Sequence, residues 1–339
     1  MHVIQKMTYS SFFYVLSQLS VTKSILGNRV SILFACACAI TSLYWFRSTF
    51  PFFFETYWIL YMLWCTAVGT FFWVLFLIGH DCGHGSFSSN TLINEVMGQL
   101  CHGFLLVPFF GWQRSHALHH QYHNHVHKDK SHVHYTEGRF QQLPPLLQWY
   151  LRTPVSSVTG FAFYLYAGIQ DGCHLWPWSA LFSTKQQRIQ CVVDDVVLTC
   201  FLYLTYTFIG ESCFTTWIGR YVIPLLVCHY WLFVITHLQH HHEHTKAYDD
   251  HEWTKSKGLL ETIDREFGWG LDALFLHITD GHVVHHLSTR IPHYHLKQSS
   301  VAFRKELETI DLKSSSYQHK ATPLFLFEHT NLRWNYPFF

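Results

Sequence analysis

Charge is scarce in this sequence. Of its 339 residues, 13% are Asp, Glu, Lys or Arg, against roughly 25% in a soluble globular chain. The shortage argues against the two soluble domains that length alone would allow. Charge of one sign is also lacking: the net charge is +1, so no nucleic-acid partner is expected. None of the ten cysteines forms a C-x-x-C pair. Cys36, Cys38, Cys65, Cys200 and Cys228 lie in apolar runs, where cysteine acts as a small hydrophobe, so no disulfide framework is expected. Residues 1–20 have neither the apolar core nor the small-residue cleavage site of a secretory signal, and the N-terminus is expected to be kept. The absence of E-x-x-H excludes the carboxylate-bridged diiron site of four-helix bundles. The absence of H-E-x-x-H removes that zinc-protease motif. No nucleotide-binding glycine loop, Ser-His-Asp signature, internal repeat or long linker is found.

What is present is apolar and aromatic. Phe, Trp and Tyr make up 18% of the chain, and Trp and Tyr gather where a membrane meets water. Four apolar stretches stand out, at Val30–Phe46, Tyr57–Gly79, Val196–Gly210 and Tyr221–Leu238. A spanning helix needs about 20 such residues. The second stretch meets this outright, the first and fourth are marginal, and the third is short. Polar turns at 47–55 and 212–220 pair them as two hairpins. Gly98–Trp112 and Val155–Ile169 are shorter apolar patches, read as helices lying in the interface. On this topology 21 of the 23 Lys and Arg residues fall on one side, leaving Arg47 and Arg220 on the other. The positive side faces the cytosol, and it carries both termini and the histidine clusters. The expected fold is all-α and integral to the membrane. Four transmembrane helices form two hairpins under a cytosolic helical cap. The expected division is an N-terminus at 1–29, one membrane domain at 30–306 and a C-terminal tail at 307–339.

Histidine is the other excess, at 28 residues. Three clusters carry it: His80-Asp81-Cys82-Gly83-His84, His116-Ala117-Leu118-His119-His120 and His282-Val283-Val284-His285-His286. Spacings of three and four residues put side chains on one helix face, so each cluster can aim two or three imidazoles at one point. Imidazole suits iron, zinc, copper and nickel, so ligand type does not choose the metal. Ligand number does better. A structural zinc takes four ligands and a catalytic zinc three from the protein, whereas the eight box histidines suit two metals of higher coordination. Iron fits that count and the need for open positions for oxygen. A single H-x-x-x-H pair is weak, but three clusters on one face are not. The run His240-His241-His242-Glu243-His244 fits the inverted zinc-protease pattern H-x-x-E-H. A run this rich in histidine matches it by accident, and a protease leaves the three boxes unexplained.

The boxes and their surroundings resemble the membrane fatty acid desaturases, in the methyl-end branch of animal type. Gly79 to Ser88 reads as that branch's first box. Leu106-Val107-Pro108, Trp112 and Ser115-His116 resemble the approach to the second. Asp171 to Trp178 resembles a segment of the nematode-type enzymes. Thr262-Ile263-Asp264-Arg265 and Ile291-Pro292-His293-Tyr294-His295 resemble the flanks of the third. The resemblance covers roughly residues 60–300. It implies two iron ions held by His80, His84, His116, His119, His120, His282, His285 and His286, with one more ligand upstream of the third box, for which His240 is the match. Asp81 and Asp280 sit beside box histidines and can orient an imidazole through its other nitrogen. His127, His134 and His277 depart from the branch's pattern. His277 stands where an Asn usually precedes the third box and is a candidate outer-shell group.

An unactivated methylene has no acidic proton, so the expected chemistry is hydrogen abstraction by a metal-centred oxidant. The resemblance implies an oxygen-dependent desaturase placing a cis double bond toward the methyl end of an unsaturated C18–C20 chain, with conversion of omega-6 to omega-3 chains first and Delta-12 desaturation second. It also implies an acyl-lipid or acyl-CoA substrate, O2, the endoplasmic reticulum membrane, and cytochrome b5 with its reductase as electron donor. No His-Pro-Gly-Gly haem signature is fused to the chain. A fatty acyl hydroxylase or acetylenase uses the same boxes. A histidine-rich metal transporter is the reading from another class. It calls for metal-binding residues at mid-membrane depth, and the first two stretches have no ionisable group but cysteine and tyrosine.

Overall fold

The computed structural model describes residues 58–132, 137–168, 172–241, 245–309 and 318–321. The first expected span, Val30–Phe46, lies outside them, as do His134 and most of the tail. Helix α1 runs over Trp58–Gly83, about 39 Å at 1.5 Å per residue, and so exceeds the roughly 30 Å hydrocarbon core. Its first turns expose Trp58, Ile59, Leu60, Met62 and Leu63, an apolar surface that lipid can cover. Helices α2 (Thr91–Phe104) and α3 (Phe109–Gln121) follow, then α4 (Pro154–Ala167). Helix α5 (Lys185–Leu204) continues as a wider turn to Ile209, and α6 (Ile223–His240) is preceded by helical turns from Phe214. The segments Trp58–Gly83, Lys185–Ile209 and Phe214–His240 are long and apolar enough to cross a membrane. The bent pair α2–α3 makes a fourth if it counts as one broken span.

Helical turns from Phe214 take up most of the turn expected at 212–220, and two further helix boundaries differ from the sequence expectation. Helix α5 starts eleven residues before Val196, because Thr184 and Gln187 form a reciprocal capping box at its N-terminus. Asp194 therefore lies inside the helix. It is buried and accepts from Gln99 Nε2 at 2.6 Å, Gly111 N at 2.9 Å and Phe110 N at 3.2 Å. The last two are amides of the first turn of α3, whose own N-cap, Pro108, has no side chain to offer. A carboxylate from α5 thus caps the helix that carries the second histidine box. The second difference is at Gly98–Trp112. In place of one interfacial helix there are two, meeting at 104°. Leu106 takes a positive φ of 54° and Pro108 lacks the amide to continue the helix.

Close helix approach fixes the core. At Gly69, a Cβ would lie 2.4 Å from Pro224 O, so its absence lets α6 press onto α1. At Gly79, a Cβ would lie 2.2 Å from the His102 ring, which seats α2 against the end of α1. Tyr61 Oη donates to Gly219 O at 2.9 Å and Trp231 Nε1 to Thr70 Oγ1 at 2.9 Å, tying α1 to the α6 segment. Helix α5 instead lies against α2 and α3, with Phe201 and Val197 filling the space beside Gly103. It joins the α6 segment through a turn at 210–213, where Glu211 and Ser212 have positive φ.

Beyond α6 the chain makes α7 (Lys255–Leu260), α8 (His282–Leu287) and α9 (His293–Thr309). The fold is mostly helical, but not wholly. Strand β1 (Ile263–Glu266) pairs in parallel with β2 (Gln318–Ala321), in register Ile263 to Gln318. Part of the expected tail, Gln318–Ala321, therefore pairs with a strand of the domain. The sequence pattern does not show this, because four residues are too few to display a period.

Candidate metal centre

Three long elements end at one place. His80 lies in the last turn of α1 and His84 just past it. His119 and His120 lie in the last turn of α3, with His116 one turn earlier, and His240 is the last residue of α6. Helix C-termini carry partial negative charge, so three of them converging favour a cation. Helix α8 supplies His282, His285 and His286 opposite. The ligand-competent atoms sort into two groups, each within 4.8 Å: His80, His84, His116, His120 and His285 in one, and His119, His123, His240 and His286 in the other. Within the first, Nε2 of His80 and His84 are 3.2 Å apart and Nε2 of His116 and His120 3.1 Å. Within the second, His240 lies 2.7 Å from His123 Nε2 and 3.1 Å from His282 Nε2. His282 thus adjoins the second group.

Outer residues hold these rings in place. Asp129 is fully buried, and His119 Nδ1 donates to its two oxygens at 2.9 and 3.0 Å. The same carboxylate accepts from the amides of Ser131 at 2.9 Å, His132 at 3.1 Å and Asn124 at 3.3 Å. Burial alone would raise the Asp129 carboxyl, but His119, with His132 and His123 nearby, holds it well below the usual carboxylate range. Strand β1 aligns two ligand helices. The buried Arg265 donates through Nε to Leu238 O at 2.7 Å at the end of α6. Asp264 accepts from Val283 N at 2.8 Å at the start of α8, where Gly281 offers no capping side chain.

The expected outer-shell residues are placed differently from one another. Asp81 accepts from His293 Nδ1 at 2.8 Å and lies 3.6 Å from His80 Nδ1. It therefore braces α9 against α1 beside a box histidine. Asp280 bonds His277 Nδ1 at 3.0 Å, three residues away in the chain. His127 is exposed. Two residues escape the sequence reading, His123 and Asp129, and His293, read there only as a flank of the third box, proves to be the partner of Asp81. His123 has a readable signal, because it follows His119 by four residues, the period that the box itself uses. Asp129 has none, since its partner stands ten residues back across a loop.

Packed among other imidazoles, the half-buried His84 and the buried His282, His285 and His286 have their pKa pushed well below the usual histidine value, by desolvation first and neighbouring imidazoles second. The neutral ring is the form that binds metal. His285 Nε2 and both ring nitrogens of His286 are buried without a hydrogen-bond partner. Unsatisfied buried nitrogens are costly, and a metal ion in each group would give His285 Nε2 and one nitrogen of His286 a partner. The donor set therefore fits metal. Five nitrogens in the first group exceed the four of a structural zinc site.

A cavity of about 50 Å³ opens beside the histidines. Its apolar walls are Trp73, Phe76, Leu77, Trp112, Leu232, Ile235 and Ile278, and His80, His116, His119, His240 and His282 form another side. Tyr164, Ser131, His132 and Thr236 complete it. Tyr164 Oη is hydrogen-bonded to Ser131 Oγ at 2.7 Å and Ser115 Oγ at 3.0 Å, so the hydroxyl is engaged in the wall. The site thus pairs a nitrogen-lined metal pocket with an apolar space that opens onto it.

Comparison with known proteins agrees with this geometry. Residues 56–317 match the family model described as fatty acid desaturase. The chain is 39% identical over 285 residues to the Delta(12) fatty acid desaturase fat-2 of Caenorhabditis elegans, covering 82% of this chain and 75% of that protein. It is 37% identical over 277 residues to the omega-3 fatty acid desaturase fat-1 of the same animal, covering 81% and 68%. It is 34% identical over 258 residues to an acyl-lipid omega-3 desaturase (cytochrome b5), endoplasmic reticulum, of Arabidopsis thaliana, covering 74% and 65%.

Proposed function

The chain belongs to the fatty acid desaturase family, and from that premise we propose that it is a diiron enzyme converting omega-6 polyunsaturated acyl chains of C18–C20 to omega-3 chains. The observation that supports a diiron oxidation of an acyl chain is the pairing of two histidine groups with an apolar cavity at the ends of membrane-length helices, and the omega-3 assignment rests on the likeness to omega-3 desaturases. His80, His84, His116, His120 and His285 hold one iron. His119, His240, His282 and His286 hold the other. Two bound irons would activate O2, the oxidant, for removing hydrogen from an unactivated methylene, which no acid or base side chain can do. The protein's residues do the rest. Trp73, Phe76, Leu77, Trp112 and Ile235 exclude water and hold the chain against the histidines. Asp129 fixes His119 with its proton on Nδ1 and Nε2 free to bind. In balance, the chain gives up two hydrogens, and O2 with two external electrons and two protons leaves as two waters.

The electrons come from cytochrome b5 and its reductase, as the name of the Arabidopsis relative suggests. The location is the endoplasmic reticulum membrane with the boxes toward the cytosol, supported by the charge asymmetry and by that same relative's name. The likeness to fat-2 favours Delta-12 desaturation as the second reading. Expression in a eukaryotic host without polyunsaturated acids, with linoleic acid fed and double bonds located by mass spectrometry, separates the two. The expected product is alpha-linolenic acid. Linoleic acid arising from the host's own oleic acid, with fed linoleic acid unchanged, establishes the Delta-12 reading instead. New bonds on the carboxyl side of the existing one overturn both.

A further inference from the structure

Resting on the diiron reading, we propose that His123 is a further metal ligand, in the second histidine group, held in its binding tautomer by the Gly258 carbonyl. The site then has ten imidazoles, five for each metal. His123 lies two residues beyond the end of α3 and is buried. Its Nδ1 is 2.6 Å from Gly258 O. A carbonyl oxygen only accepts, so Nδ1 carries the hydrogen and Nε2 presents a lone pair. That Nε2 points into the second group, 2.7 Å from His240 Nδ1. The His123 ring lies 4.7 Å from that of His286 and 5.1 Å from that of His119. A ring that donates one nitrogen to a backbone carbonyl and aims the other at imidazoles has the arrangement typical of a ligating histidine.

The surrounding chain is shaped to hold this residue. Trp253 Nε1 donates to His123 O at 2.9 Å, so the segment 253–258 grips both its backbone and its ring. A Cβ at position 258 would lie 2.1 Å from His123 O, and only glycine permits the approach. His174 gives the contrast. It too is buried and bonds a carbonyl, Leu165 O, through Nδ1 at 2.8 Å. Its ring faces Tyr164 at 5.3 Å and belongs to neither histidine group, which marks a structural histidine.

His123→Asn is the discriminating variant. The amide nitrogen of Asn replaces Nδ1 toward Gly258 O, while nothing replaces Nε2. Iron content of the purified full-length protein, with the Mössbauer spectrum of 57Fe-loaded samples, reads the effect. The wild type is expected to hold about two irons, and H123N about half that, with one iron environment depleted. His123→Gly with added imidazole is expected to regain the lost environment, whereas His174→Ala keeps both. H123N with undiminished iron and an unchanged spectrum overturns the proposal, as does His123→Gly that imidazole does not restore. A wild type without two irons contradicts the diiron reading itself, so the two failures are distinguishable.

Discussion

Replacing His285 by alanine abolishes double-bond formation while leaving the chain in the membrane. His285 is buried, its Nε2 has no hydrogen-bond partner, and its ring lies 4.7 Å from His80, 4.9 Å from His84 and 4.8 Å from His120. It bridges the first group across from α8, so its loss opens that group on the side where no other residue of α8 takes part. On the proposed diiron reading His285 would be a metal ligand, so its loss is expected to lower the rate about 100-fold or more, which is below detection in a feeding assay. His119→Ala has the same outcome through the second group. Neither residue lies on the apolar surfaces of α1 or α5, so membrane insertion persists. Fatty acid analysis of cells expressing each variant, with a membrane-fraction immunoblot as the control, checks this. Wild-type product levels from either variant show that the boxes are not the reaction centre.

Asp129→Ala has the second largest effect, although Asp129 binds no metal itself. It takes away the acceptor that fixes His119 and leaves the buried amides of Ser131 and His132 unpaired. The first loss lowers iron affinity about 10–100-fold. The second destabilises the loop by about 1–3 kcal/mol for each unpaired group, less than additively because they share one partner. Activity should therefore need more ferrous iron to saturate, and the thermal midpoint in detergent should fall. Asp129→Asn, which keeps an acceptor oxygen for His119, should fall between alanine and wild type. An iron-saturation curve identical to wild type in Asp129→Ala removes the carboxylate from any role at the metals.

Most of this site is legible in the histidine spacing. Three and four residues are the steps of one helix face, so the spacing gathers the eight box histidines box by box, but the sorting into two groups, which divides the second and third boxes, is seen only in the structure. His240 comes from the family resemblance, and it stands between His123 and His282. What stays hidden is non-local. The expected third span begins at Val196 and leaves Asp194 outside it, because a sequence does not show that Gln99 and the first turn of α3 satisfy Asp194 inside the helix. Asp280, adjacent to the third box, reads as a partner for a box histidine. The backbone turns with positive φ at Leu276 and His277 and gives it His277 instead. The bend between α2 and α3 hangs on Pro108 and on the left-handed Leu106, of which only the proline announces itself in a sequence.

Iron-edge anomalous diffraction from crystals of the purified protein tests most directly whether the two histidine groups hold an iron pair. Two peaks are expected, one among His80, His84, His116, His120 and His285, the other among His119, His240, His282 and His286. A single peak, or zinc-edge signal at both positions with no iron in a preparation that forms double bonds, contradicts it.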